Sequence, residues 1–293
     1  MHGVTVIGSR LPRTGPLIEH YAVPELPEVE IVRRELSPVM TGARIEKVEL
    51  RRPDLRAPFP RGFRARLEGQ TVRRLERRAK YLLATLSSGE TLVMHLGMSG
   101  SFRITHDMAG EPDRHDHVVF HLSSGAAVIF NDPRRFGVMD LLRPGGLAAH
   151  PALGKLGPEP LSDGFDGAAL ARACAGRTTS LKVALLDQRV VSGLGNIYVS
   201  EALHLAGLSP RRRASTIATP SGAPREAAHH LAAAIKQVLE EAIARASGGA
   251  YRSSRFRVYD REGARCRRRG CSGSIRRRTQ AGRSTFYCAV CQR

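Results

Sequence analysis

Four of the five cysteines fall in the last 28 residues, as two close pairs: four residues separate Cys266 from Cys271, and two separate Cys288 from Cys291. No other feature restricts the fold of its own segment so tightly. Four thiolates in two such pairs can wrap one tetrahedral Zn²⁺, provided the 16 residues between the pairs fold back on themselves. Ile275–Arg278 and Ser284–Tyr287 read as the two strands of that hairpin, turning at Gln280-Ala281-Gly282. With four protein ligands the ion is structural, because no coordination position stays open for chemistry. Two disulfides, or unrelated core cysteines, are the competing reading, but five cysteines are too few for a disulfide scaffold of this length. Cys174 stands apart in an Ala-rich helical stretch and reads as a core residue.

The same segment is basic. Residues 250–293 carry 13 arginines against Asp260 and Glu262, and the whole chain carries 46 Lys and Arg against 27 Asp and Glu, a formal net charge of +19. Each phosphate neutralised on a nucleic acid releases condensed counterions, so the excess favours an anionic polymer as partner. A ribosomal or chromatin-like basic protein would show it too. No apolar run approaches the roughly 18 residues of a membrane helix, and the first residues lack a signal-peptide core. Cysteines arranged for metal rather than staples point to a reducing, cytoplasmic setting.

Residues 1–23 show neither helical nor strand period. Pro24-Glu25-Leu26-Pro27-Glu28 then opens a helix with Val29, Val32 and Leu36 at helical spacing and Ser37-Pro38 as its end. Arg44–Leu50, Thr71–Leu75, Tyr81–Leu86, Thr91–Leu96, His117–Leu122 and Ala126–Phe130 read as strands, with Ser88-Gly89 and Ser124-Gly125 as turns. The stretch from Pro144 to Pro160 reads as a linker. Helices follow over Leu181–Leu186, Asn196–Ala206 and Ala227–Ala246, the last stopped by Ser247-Gly248-Gly249. The expected fold is α+β and multidomain: an N-terminal β-sandwich carrying one N-terminal helix over 24–150, a helical domain over 151–249, and a C-terminal β-hairpin zinc finger over 250–293.

Pro24-Glu25-Leu26-Pro27-Glu28-Val29-Glu30 carries chemistry only if Pro24 comes first in the mature chain. Inside a chain its nitrogen is a tertiary amide. At an N-terminus it is a secondary amine, able to attack a sugar carbon as a Schiff-base lysine does. The heptad is followed in order by Arg77-Arg78-Ala79-Lys80-Tyr81, His95-Leu96-Gly97-Met98-Ser99-Gly100, His115-Asp116-His117, Asp132-Pro133-Arg134-Arg135-Phe136-Gly137, Gly157-Pro158-Glu159-Pro160-Leu161, Gly193-Leu194-Gly195-Asn196-Ile197-Tyr198 and Gly282-Arg283-Ser284-Thr285-Phe286-Tyr287-Cys288. Together these motifs resemble the bacterial formamidopyrimidine-DNA glycosylases over residues 24–293.

The resemblance implies a base-excision repair enzyme that flips oxidised purines (formamidopyrimidines, 8-oxoguanine) out of duplex DNA, excises them and cleaves the abasic site by β,δ-elimination. It implies Pro24 as nucleophile, Glu25 as general acid/base, and Lys80 reaching the phosphate or lesion. Glu28 and Arg283 are secondary catalytic candidates, one orienting the site and the other clamping a phosphate. His95, Lys182 and Asn196 become DNA contacts, and Met98, Arg134 and Phe136 fill the space left by the flipped base. Glu201 matches a further site residue. The helical domain becomes a helix-two-turn-helix, the partner becomes double-stranded DNA with oxidised bases or abasic sites, and the enzyme becomes a monomer acting at the nucleoid. Plainer readings exist beside these: first-turn acids complementing a helix dipole for Glu25 and Glu28, a satisfied structural histidine for His95, and plain core for Met98 and Phe136.

Two departures carry expectations. Residues 1–22 would block Pro24, and Val23 stands where a GTG codon would place the initiator, so translation is expected to start there, with residues 1–22 a gene-calling artefact and residues 1–23 an extension absent from the mature chain. Only Ala250–Arg257 separates Gly249 from Val258-Tyr259, which shortens the loop that covers flipped 8-oxoguanine and predicts weaker retention of that base. Two alternatives remain at this point: an endonuclease VIII-type glycosylase for oxidised pyrimidines, and a non-catalytic zinc-finger DNA-binding paralogue.

Overall fold

The computed structural model describes residues 23–108, 112–247 and 256–293. Helix α1 (Leu26–Met40) has Pro27 in its first turn, where a missing N–H costs nothing. It runs through Pro38 rather than ending there. A proline in the last turn removes a single hydrogen bond, and Thr41 closes the helix by donating to Ser37 O at 3.0 Å.

Eight strands follow: β1 (Ile45–Leu50), then, after the short α2 (Phe63–Leu67), β2 (Val72–Arg78), β3 (Tyr81–Leu86), β4 (Thr91–His95), β5 (Ser101–Thr105), β6 (Asp116–Leu122), β7 (Ala127–Asn131) and β8 (Val138–Leu142). They pair antiparallel into two four-stranded sheets, in the orders β1-β6-β7-β5 and β2-β3-β4-β8. Alternation along the strands sends Phe102, Phe120 and Phe130 from one sheet, and Leu82, Ala84 and Met94 from the other, into a shared core. Val29, Val32, Leu36 and Met40 of α1 join that core. The sandwich with its leading helix is as expected; β5 and β8 are two strands that the sequence patterning did not bring out.

The second part holds α3 (Gly167–Cys174), α4 (Leu181–Leu186), α5 (Asn196–Ala206), a 3-10 turn at Ala214–Ile217 and α6 (Glu226–Ser247). Leu231, Ile235 and Leu239 of α6 pack with Leu170, Leu185, Tyr198 and Leu203, and Leu26 of α1 enters this second core. Helix α1 therefore seats one residue among the helices and the next turn in the sandwich. Leu153 and Leu156, from the connecting segment, pack on Leu83 and Val93. The chain ends in a hairpin of β9 (Ile275–Gln280) and β10 (Arg283–Cys288), joined by Ala281 and Gly282 at φ of 46° and 72°. Two successive left-handed residues give the turn that matches strand twist. Among the described residues, no helix is long and apolar enough to cross a membrane.

Candidate active site

Glu25 precedes α1 and aims its carboxylate at the start of α5. Gly195 N–H donates to Oε2 at 2.7 Å, Tyr198 N–H to the same oxygen at 3.3 Å, and Ile197 N–H to Oε1 at 2.9 Å. These are the unpaired donors of a helix start, where the helix dipole favours an anion. Two glycines permit the approach. A Cβ on Gly195 would lie 2.3 Å from Glu25 Cδ, and one on Gly193, whose φ is +82°, would lie 2.6 Å from Leu26 Cδ1. Glu25 is only 2% exposed. Burial pushes its pKa up to about 7, against the charge of Lys80 and the Ile197 and Tyr198 amides, with the Glu28 charge adding to the rise. Glu28 is fully buried and accepts the Glu25 N–H at 2.9 Å and the Tyr198 hydroxyl at 2.6 Å. It thus fixes the backbone immediately after Pro24, which is buried while Val23 is exposed.

Lys80 follows Ala79, whose φ of +53° turns β2 into β3. Glu159 holds that strained turn: its Oε1 accepts from Ala79 N–H and, at 2.7 Å, from Arg78, and its Oε2 accepts from Arg77 at 2.8 Å. Arg78 also donates to Gly157 O and Ser192 Oγ, and Arg77 reaches Glu30 of α1 at 3.2 Å. Burial lowers the pKa of Lys80, while the Glu25 charge opposes and the Arg283 charge reinforces that shift, so the three groups share one electrostatic site. His95 ends β4 with its ring centroid 4.7 Å from that of Tyr81, and its Nδ1 accepts Gly97 N–H at 3.0 Å. Burial, with the charges of Lys80 and Arg56, pushes its pKa down to about 4. The imidazole is then neutral near pH 7 and offers Nε2–H as a donor.

Met98, Arg134 and Phe136 come together on one surface. Asp132, fully buried, accepts the Ser99 hydroxyl at 2.6 Å and Gly137 N–H at 2.7 Å, and its carbonyl accepts from His117 Nε2 at 2.9 Å. Ser99 Oγ in turn accepts Arg134 N–H at 3.1 Å. Gly97 lets the two loops touch, since a Cβ there would meet the Phe136 carbonyl carbon at 2.3 Å. Met98 and Phe136 are left 38% and 39% exposed, with the Arg134 guanidinium 4.9 Å over the Phe136 ring. Large apolar side chains held in solvent by buried polar anchors are not core residues.

The hairpin approaches from the other side. Arg283 is exposed beside its turn, and its charge acts on both Lys80 and Lys182. Lys182, expected as a phosphate or lesion contact, is turned inward in this structure. The side chain is fully buried, and Nζ donates to Ser284 O and Thr285 Oγ1, both at 2.8 Å. Its ammonium is used inside the protein to brace the strand that carries Arg283, and burial lowers its pKa to about 8. Asn196 is half-buried and gives its amide to the same Ser284 O at 2.9 Å. Glu201 is buried rather than solvated and accepts the N–H groups of Arg257, Val258 and Tyr259 at 2.7, 2.9 and 2.9 Å, anchoring the chain as it enters the hairpin module.

The four C-terminal cysteines converge. Cys266 and Cys291 Sγ are 3.8 Å apart, Cys271 and Cys288 Sγ 3.6 Å, and all four sulfurs lie within 4.8 Å of one another. Those spacings exceed the S–S bond of about 2.05 Å and leave room for a shared metal ion. Arg268 and Gly273 N–H point at Cys266 and Cys271 Sγ at 3.5 and 3.4 Å.

Two family models match in tandem: the formamidopyrimidine-DNA glycosylase N-terminal domain over residues 23–139 and the formamidopyrimidine-DNA glycosylase H2TH domain over 156–254. Proteins named formamidopyrimidine-DNA glycosylase from Azorhizobium caulinodans and Beijerinckia indica are 56% and 58% identical to the chain, each across 92% of it and 100% of their own length. The chain belongs to the formamidopyrimidine-DNA glycosylase family. A solved family structure, the Lactococcus lactis enzyme non-covalently bound to DNA containing an AP site, is similar with a TM-score of 0.82 at 32% identity, over 92% of this chain and 100% of that one. The Thermus thermophilus MutM (Fpg) protein gives 0.78 at 38% identity, over 92% and 98%.

The 294 aligned positions of the Azorhizobium relative exceed the share of this 293-residue chain that they cover, so this family member lacks segments the relative has. The stretch at 250–257, expected to be short, lies almost wholly outside the described residues. Glu159, Asp132 and Tyr198 sit inside motifs that identify the family, but nothing local to them announces their partners, which come from elements far away in the chain.

Proposed function

We propose that this family member is a base-excision repair enzyme that removes oxidised purines from duplex DNA and then cuts the abasic site, with Pro24 as its amine nucleophile. The observation that carries the reading is the Glu25 carboxylate, one residue from Pro24, seated on the α5 amides and within the field of Lys80. The Pro24 nitrogen adds to deoxyribose C1′ as the damaged base leaves with the bonding pair and takes a proton. The proline N–H proton is lost, the C1′–O4′ bond then breaks as O4′ takes a proton and the sugar ring opens, and the resulting iminium acidifies the C2′ proton. Loss of that proton expels the 3′ phosphate, and a second elimination expels the 5′ phosphate. A carboxyl with a pKa of about 7 can both give and take the protons these steps need. Glu28 holds the backbone at Glu25, Arg283 and His95 offer donors to phosphates, and Met98, Arg134 and Phe136 fill the emptied stack. We assign the functional regions to 24–150, 151–249 and 250–293, and the place of work to the cytoplasm, on the nucleoid.

Cys266, Cys271, Cys288 and Cys291 are assigned one structural Zn²⁺. Zinc–sulfur bonds of about 2.3 Å set tetrahedral sulfurs about 3.8 Å apart, which agrees with the 3.6 and 3.8 Å separations. Bound there, the ion would supply no chemistry, and the four cysteines holding it would fix the hairpin that presents Arg283.

The proline mechanism needs position 24 to be unacylated. Support comes from the N-terminal family model, which starts at residue 23, and from relatives whose whole length matches 92% of the chain. The test is borohydride trapping on abasic duplex DNA with chains beginning at Met1 and at Pro24. A covalent adduct is expected only from a free Pro24; an unprocessed Met1 chain that traps and nicks equally well rules the mechanism out. Failure of both chains to trap leaves a non-catalytic DNA binder. Because one structure of the Lactococcus lactis protein holds DNA with an oxidised pyrimidine, single-turnover excision should be compared on formamidopyrimidine, 8-oxoguanine and oxidised-pyrimidine duplexes. Faster loss of formamidopyrimidine than of 8-oxoguanine is expected from the short 250–257 stretch, and equal rates refute it.

A further inference from the structure

His204 is a buried histidine that the reaction does not use. It lies on the last turn of α5 and is 3% exposed. Its Nε2 is 3.3 Å from Cys266 Sγ and 3.9 Å from Cys291 Sγ, while its Nδ1 is buried with no hydrogen-bond partner among the described residues. Enclosing an imidazole with one nitrogen unsatisfied is unfavourable unless the other makes a strong interaction. A metal-bound thiolate has no proton to give, so in the Nε2–Sγ contact the histidine is the donor, and its tautomer is fixed.

The element that carries His204 is fastened to the same module. Arg268 donates to the carbonyls of His204 and Leu205, Arg293 N–H donates to Gly207 O at 3.0 Å, and Gln292 Nε2 donates to Leu208 O at 3.0 Å. Cys288 N–H returns a bond to Gln292 Oε1 at 2.8 Å. The donor is therefore held opposite its sulfur by contacts on both sides of the cysteines.

We propose that His204 is a positioning residue for the metal: its Nε2–H donates to the Cys266 thiolate, draws negative charge from that sulfur and fastens the four-cysteine site to the end of α5. The proposal rests on the reading that these cysteines hold zinc. Four thiolates give the divalent ion a net negative surround, and a neutral N–H donor relieves that charge without taking a coordination position. Removing the donor should leave Cys266 more basic, more readily protonated and quicker to release the ion.

The experiment uses the full chain as wild type, His204→Phe and His204→Gln. Metal content comes first: one zinc per wild-type chain is expected, and none would overturn the zinc reading and this proposal together. Zinc transfer to a chromogenic pyridylazo chelator is then timed. His204→Phe should release zinc about 10-fold faster or more, with His204→Gln, which retains a donor, in between. In the cobalt-substituted protein the thiolate-to-cobalt charge-transfer band should move to lower energy in His204→Phe, because an unbonded sulfur gives up its electrons more easily. Equal release rates refute the His204 role while leaving the zinc reading intact. Faster release with an unmoved band means that packing alone was lost, and also refutes it. If His204→Phe does not fold, wild-type protein loaded with cadmium-113 decides: scalar coupling between the metal and the His204 Nε2 proton is expected, and its absence overturns the proposal.

Discussion

A carboxyl titrating near 4.5 in the unfolded chain and at about 7 in the native one binds its proton more tightly when folded. For Glu25 the associated stability is fully present below pH 4.5 and is lost as pH rises through 7, by about 3 kcal/mol at order of magnitude. The gap in unfolding free energy between wild type and Glu25→Gln should shift by that amount over this window, the wild type losing ground as pH rises. A gap independent of pH, measured by urea denaturation, would show that the site does not hold Glu25 protonated. Glu25 stood out in the sequence because it adjoins Pro24. Its three amide partners did not, because they lie at least 170 residues away. Lys182 shows the converse. A lysine in a short helix is ordinarily solvated, and only the arrival of β10, 102 residues later, encloses it.

At the scale of elements, the exposed surface of Met98, Arg134 and Phe136 depends on two loops pinned to one side chain. Asp132→Ala would leave the Ser99 hydroxyl and Gly137 N–H without their acceptor, at a cost of about 3 kcal/mol, and would free Met98 and Phe136 from a common frame. Denaturant titration should show that loss, and excision from duplex DNA should slow; a fully stable variant would mean the loops are held by other contacts. The Gly- and Pro-rich wording of Leu96–Gly100 and Asp132–Gly137 announced turns. That both turns share Asp132 is a tertiary fact. Ser101–Thr105 escaped notice as a strand because only Phe102 and Ile104 are apolar in it, and Val138–Leu142 because Asp140 interrupts its run. Pro38 was a fair stop signal, overridden because only the final turn lay beyond it.

At the scale of the whole molecule, Glu159 reaches from the connecting segment to the β2–β3 turn and couples the helical part to Lys80. Glu159→Gln keeps the shape but weakens the charge-assisted bonds to Arg77 and Arg78. Lys80 should then lose its fixed position, with single-turnover excision slowed about 100-fold, the scale expected of a misplacement near 1 Å. An unchanged rate with unchanged stability would show the turn to be self-supporting. The broad division into sandwich, helices and cysteine hairpin could be read from hydrophobic period and cysteine spacing. The way the three meet could not, because it depends on single ion pairs, on Leu26 entering the helical core and on Leu153 of the connecting segment packing on the sandwich.

Helix α5 has eleven residues, a rod about 16 Å long. One tip cups the Glu25 carboxylate, and the other abuts the sulfur knot. The same rod thus joins the cysteine cluster at one end to the Glu25 carboxylate at the other, so that oxidation of those thiols would act on an element the carboxylate leans on.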